Sequence, residues 1–223
     1  MRYLFSTLIT LLALPSATIT AGPATGAVTG AVPLPPRKAG RAAVEKYTGT
    51  ISGKVAAPPQ TCAGVWIEGA GVNAAAKPPR IVLPQEGYQF SRSLIIVPRG
   101  TTVEFPNKDN DYHNIFSTSN AKKFDANRYK KNEIPAPAVT FDKVGFVRLE
   151  CEIHDHMKSA VIVVDSPWCT VTDGSGKFNL TGIPAGNYTL HAQLDEKTRW
   201  SSAVTISSGK TTTADFNKRA SAP

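Results

Sequence analysis

The sequence predicts an all-β chain made of two sandwiches. Only 19% of its 223 residues are charged, and runs of Ala, Leu, Glu and Lys at helical spacing are missing. Short apolar stretches alternate with Gly, Pro and Asp turn signals, the pattern of sandwich strands. Near the middle, one hydrophobic stretch ends and another begins around a short turn, Cys151-Glu-Ile-His154-Asp-His-Met157.

The first residues read as an export signal, residues 1–21. Arg2 opens it, Leu4 to Leu14 form an apolar run too brief to span a membrane, and small residues follow. Residues 22–46, rich in Ala, Gly, Pro and Thr without periodicity, read as a flexible tether. Order is expected to begin with an alternating strand over Thr48–Val55. A Pro-containing loop, a second strand over Val65–Glu68 and a loose linker over Gly69–Pro79 follow, making residues 47–79 one segment.

Between residues 80 and 165 the strand pattern tightens. Ile81–Leu83, Ser93–Val97, Thr101–Phe105, Asn114–Phe116, Ala138–Phe141, Gly145–Cys151 and Ala160–Val164 read as strands. Turns are marked at Pro98-Arg-Gly100 and Asp142-Lys-Val-Gly145. Residues 166–218 change character again. Thr170–Leu180 reads as a hairpin around an Asp-Gly turn, and Ile183–Leu190 as a Pro/Gly turn entering a strand. Ser202–Ile206 and Thr211–Phe216 close the series, and the tail after Lys218 is expected to fray.

The formal charge is +8, with a local excess from Lys122 to Lys131. No nucleic-acid module accompanies it. The excess is either a solvated surface or a docking patch for an acidic redox partner, such as a cytochrome or dehydrogenase.

The central turn offers a thiolate, an imidazole and a thioether, whose softness suits copper. It is short by one His, and His113 is the obvious candidate. The chain holds four His, and three of them (His113, His154, His156) lie in this region. Met157 is one of two methionines. Zinc is the rival metal, because Cys and His also serve it. His156 could replace His154 or Met157. His191 reads as structural, and Asp173 as part of an ordinary turn rather than a calcium site.

Val103-Glu-Phe-Pro-Asn107, His113-Asn-Ile-Phe116, the Gly145 strand and the Cys151, His154, Met157 loop resemble the cupredoxins, most closely the amicyanin type. The resemblance implies a Greek-key sandwich holding one type 1 copper ion with His113, Cys151, His154 and Met157. It makes Asn114 the residue tying the two ligand loops together, and it gives His154 a solvent-facing edge for electron transfer. Asp155 and His156 depart from the Pro and aromatic common in such loops. The broader resemblance is to bacterial proteins labelled methylamine utilization proteins.

Thr172-Asp-Gly-Ser-Gly-Lys-Phe-Asn-Leu180 and Ile183-Pro-Ala-Gly-Asn-Tyr-Thr-Leu190 resemble a carboxypeptidase regulatory-like (transthyretin-like) sandwich. Such domains open with strands like Gly49–Val55 and Gly64–Glu68, which here precede the copper region. The expected architecture is therefore a cupredoxin inserted into a small transthyretin-like sandwich. Cys62 and Cys169 flank the insert, and an exported protein can oxidise them. A bridge closing a loop of roughly 100 residues would contribute about 4–5 kcal/mol in the loop-entropy account; the alternative is two free buried thiols.

The expected function is a periplasmic electron carrier, with a non-redox copper carrier as the alternative. An enzyme is not expected: multicopper catalysis needs many more His, and no peptidase motif accompanies the second sandwich.

Overall fold

The computed structural model describes residues 24–36, 51, 53–73 and 77–216. The export signal, residues 22, 23 and 37–46 of the tether and the tail after Lys218 lie outside the described residues. Among those residues every regular element is a strand: β1 (Thr25–Ala31), β2 (Gly64–Glu68), β3 (Arg80–Val82), β4 (Ile95–Pro98), β5 (Thr101–Glu104), β6 (His113–Ser119), β7 (Lys122–Tyr129) and β8 (Ala138–Phe141) come first. They are followed by β9 (Gly145–Glu150), β10 (Lys158–Val164), β11 (Cys169–Val171), β12 (Lys177–Pro184), β13 (Gly186–Gln193), β14 (Arg199–Ile206) and β15 (Thr211–Asp215).

Strands β3 to β10 make one sandwich, with sheets ordered β4-β10-β9-β6-β7 and β3-β5-β8. Its core gathers Val103, Phe105, Ile115, Phe141, Val147 and Leu149. The other strands make a second sandwich, with sheets β12-β1-β15 and β11-β2-β13-β14, around Val28, Ile67, Phe178, Ile183, Leu190 and Phe216. β2 and β11 are antiparallel neighbours, Val65 opposite Thr170. The whole first sandwich is thus looped out between two paired strands of the second.

Of the expected opening strand over Thr48–Val55, residues 48–50 and 52 lie outside the described residues, and residues 51 and 53–55 form no strand. The second sandwich instead takes its first strand from β1, inside the stretch read as a tether. β1 pairs antiparallel with β12 and parallel with β15. The small residues that hid it are what the site requires: a β-carbon on Gly30 would lie 2.4 Å from the Ala214 carbonyl oxygen. Ile51 and Val55 pack against the first sandwich's core, and Ala56 N–H donates to Gly87 O at 2.7 Å.

Two strands are buried on both faces, as a strand between two layers must be. In β2, Val65 and Ile67 face the second core while Trp66 faces a third apolar cluster. In β10, Val161 and Val163 face the first core while Ala160, Ile162 and Val164 join that same third cluster. This cluster fastens the two sandwiches together.

The basic excess over Lys122–Lys131 lies mostly on β7, an edge strand. Lys123, Asp125 and Asn127 point outward, while Phe124 and Ala126 pack on the core. Charged outward side chains are how an edge strand resists pairing with other chains. Lys122 pairs with Asp142 at 2.9 Å and Arg128 with Glu152 at 3.4 Å. The Asp-Gly turn after Val171 forms, with Asp173 Oδ1 accepting from Ser175 N–H and Lys177 N–H, but it does not close a hairpin. β11 and β12 leave it for different sheets.

Candidate metal centre

β6 begins at His113, and the β9–β10 hairpin carries the Cys turn. Glu150 and Lys158 are register partners, so the turn's ends are pinned side by side. Within it Cys151 N–H donates to Met157 O at 3.3 Å and Met157 N–H to His154 O at 2.9 Å. Beside His113 the β6–β7 register shifts between Asn114 and Phe116, and Asn127 opposite has φ of 58°. Bulges of this kind re-aim side chains next to functional sites.

The result is a buried cluster of His113, Cys151 and His154. Cys151 Sγ lies 4.0 Å from His113 Nδ1 and 3.8 Å from His154 Nδ1, and the two Nδ1 atoms are 3.2 Å apart. The point equidistant from all three is about 2.1 Å from each, close to ordinary first-row metal bonds to imidazole (about 2.0–2.1 Å) and thiolate (about 2.3 Å). Donor atoms facing one another at this range repel unless a proton or cation sits among them. The set therefore fits a metal ion. Met157 is wholly buried in the same core as Cys151.

Electrostatics favour the metal-binding form of the cysteine. Burial pushes the Cys151 thiol up, but hydrogen bonds from His113, His154 and the backbone N–H groups of Asn114 and His154 outweigh it, bringing the pKa to about 5. Burial alone pushes Cys169 up to about 11, and it raises Cys62 as well. Burial likewise works against a charged His113, but Asp109 and Cys151 beside it leave its pKa above the ordinary value.

The other candidate residues are placed as follows. Asn114 does not tie the ligand loops through its side chain: that amide donates to Asp125 on β7 at 2.6 Å, and it is the backbone N–H that faces the Cys151 sulfur. His156 stands outside the cluster, with Nε2 2.9 Å from Tyr88 O. His154 presents no open edge. It is 4% exposed, with Tyr88 edge-on at 5.1 Å and His156 at 6.3 Å between ring centres. His191 belongs to the second sandwich, bonded to Ser201 at 2.8 Å and beside Glu68 at 3.2 Å.

The Cys62–Cys169 bridge is not formed, and both are free thiols. Register explains why: Cys169 lies opposite Trp66, four positions from Cys62, or about 13 Å along a strand. A disulfide needs Cα atoms within about 7 Å.

Two residues that sequence reasoning passed over complete the surroundings. Asp109 Oδ2 lies 2.9 Å from His113 Nε2. Tyr88, buried and at φ 58°, sets its ring edge-on to both imidazoles, 5.8 Å from that of His113. An acid four residues before the first His was a readable signal for Asp109. Nothing in the chain pattern singled out Tyr88.

The carboxypeptidase regulatory-like domain family matches residues 154–218. The match opens inside the Cys turn, although sheet pairing assigns β10 to the first sandwich. No curated protein matches the chain. Among solved structures, a copper-containing nitrite reductase from Thermus scotoductus SA-01 is similar at 24% identity over 44% of this chain and 25% of its own, with a TM-score of 0.36. A reduced Cu(I) amicyanin variant is similar at 22% identity over 45% of this chain and 98% of its own, with a TM-score of 0.35.

Proposed function

We propose that the chain binds one copper ion in a type 1 site and carries single electrons between redox proteins outside the cytoplasm. The supporting observation is the buried triangle of one sulfur and two imidazole nitrogens, with 3.2 to 4.0 Å between donor atoms. Two His and one Cys with a weak thioether neighbour suit copper, whereas a structural zinc site takes four strong donors.

Bound copper would supply a Cu(I)/Cu(II) couple; the protein's part is to hold the donors. Cys151 enters as a thiolate at neutral pH and has no proton to expel. His113 is fixed by β6 and His154 by the pinned turn, so the donor positions resist change between oxidation states. Met157 is the candidate axial ligand. The reading is of a carrier rather than an enzyme. Of four His, His191 sits in the other sandwich and His156 against Tyr88 O, leaving two for metal.

Export rests on the apolar opening stretch. Among the described residues no helix is long and apolar enough to cross a membrane. The net charge of +8 suits a partner with an acidic surface, a cytochrome or a dehydrogenase.

A second reading, a copper carrier without redox traffic, is favoured by the burial of His154, which leaves no imidazole edge for a partner to touch. Titrating Cu(II) into the metal-free protein separates the two. An electron carrier takes up one equivalent and shows an intense sulfur-to-copper visible band. The band bleaches with ascorbate and returns with ferricyanide. A colourless or irreversible complex favours the second reading, and retention of copper by Cys151→Ser with an unchanged spectrum would sink both.

A further inference from the structure

The His113 imidazole has two nitrogens, and only one faces Cys151 and His154. The other, Nε2, lies 2.9 Å from Asp109 Oδ2. That oxygen also accepts Tyr88 N–H at 2.9 Å, while Oδ1 accepts Gly87 N–H at 2.7 Å. Asp109 is itself held: its N–H donates to Asn107 Oδ1 at 2.8 Å. The buried Asn107 amide in turn donates to Asp111 O at 2.8 Å and Tyr129 O at 3.1 Å. The turn between β5 and β6 is thus braced from within, with the carboxylate at its centre.

We propose that Asp109 is a positioning residue for the metal centre. It fixes His113 in the tautomer that points a bare Nδ1 at the metal position, and its charge biases the site toward the oxidised ion. A carboxylate only accepts, and this one already faces two backbone N–H donors, so the third group it meets must also be a donor. Nε2 therefore keeps its proton, so Nδ1, the atom 3.2 Å from His154 Nδ1 and 4.0 Å from the sulfur, is the nitrogen that gives up its proton and offers its lone pair when a metal enters.

A carboxylate behind a ligating imidazole also makes it a stronger donor, and loss of such a partner commonly costs 10–100-fold in metal affinity. A negative charge one ring away stabilises Cu(II) more than Cu(I). The same carboxylate holds the Gly87–Tyr88 backbone, so the ring that packs on both imidazoles is set by the group that orients one of them. A merely structural ion pair would explain the contact, but it predicts neither a single tautomer nor a shifted potential.

The proposal rests on the copper reading for its redox part alone, and the experiment keeps the two apart. In the metal-free, 15N-labelled full chain, long-range 1H–15N spectra report the His113 tautomer without any metal. Nε2 is expected to carry a proton, whether or not Nδ1 also holds one toward the Cys151 sulfur, and a bare Nε2 with the proton on Nδ1 alone would overturn the proposal. In Asp109→Asn, whose amide cannot accept from all three donors, the Kd for Cu(II) is expected to rise 10–100-fold. The Kd for Cu(I) should rise less. Each tenfold difference between the two raises the midpoint potential by about 59 mV. A folded Asp109→Asn protein with unchanged affinity and potential would overturn the proposal. If that variant does not fold, the tautomer of the unaltered chain still decides. If the unaltered chain forms no coloured copper complex, the functional reading fails while the tautomer result stands.

Discussion

Gly64 of β2 and Ile162 of β10 meet so closely that a β-carbon on the glycine would lie 2.7 Å from Ile162 Cδ1. The two sandwiches are joined at this point by strands buried on both faces. Gly64→Val inserts three carbons where one does not fit, against Ile162 and Ile96. Overpacking of this kind costs about 1–3 kcal/mol. The urea midpoint is expected to fall, while the metal cluster, in the other layer of β10, keeps its copper spectrum. An unchanged midpoint would show that the sandwiches are not packed as described.

The three cysteines differ in environment and are all unbonded. Unfolding the protein in urea without reductant and alkylating it should therefore add three groups. Uptake of only one would restore the Cys62–Cys169 bridge and contradict the four-position offset in register. The folded, metal-free protein should react slowly at all three. Burial shields Cys151 despite its thiolate character, and Cys169 stays protonated with a pKa of about 11.

His191 stacks on Trp66 at 5.1 Å and lies 3.2 Å from Glu68, which also pairs with Arg199 at 3.6 Å. Burial, the largest influence, lowers its pKa; Glu68 opposes this and Arg199 adds to it. A His whose folded pKa lies below its unfolded value makes the unfolded chain bind more protons. Stability is then full above about pH 6.5 and lost as pH falls through the folded pKa. The metal-free protein should lose stability below that pH, and His191→Gln should flatten the difference. A His191→Gln profile parallel to that of the unaltered chain would refute the assignment.

The sequence was legible where spacing carried the message. Cys151, His154 and Met157 lie within one turn, and a tight hairpin leaves them few directions. Asp173 in its turn and the apolar runs of β9 and β10 were equally plain. β1 was not, because its signal is the lack of side chains: Gly30 reads as tether until Ala214 is seen against it. The Cys62–Cys169 bridge failed for a related reason. Flanking an insert in sequence places two residues near the same crossing, but register decides whether they meet. Asp109 offered only its place four residues before His113, and Tyr88 acts through contacts made once the loops are folded together, which no periodicity announces.

Met157 and His156 make the sharpest contrast within the turn. Met157 is wholly buried beside Cys151, while the His156 imidazole is bonded to Tyr88 O at 2.9 Å. If Met157 is the weak axial donor, Met157→Gln replaces a soft thioether with a harder amide oxygen. That change favours Cu(II), so the midpoint potential should fall while copper stays bound. His156→Ala removes no donor, so copper affinity should hold within about twofold. Its stability should drop by roughly 1 kcal/mol for the lost hydrogen bond. Voltammetry and copper titration on both variants give the answer. An unmoved potential in Met157→Gln, or a collapse of affinity in His156→Ala, would reassign the ligand to His156.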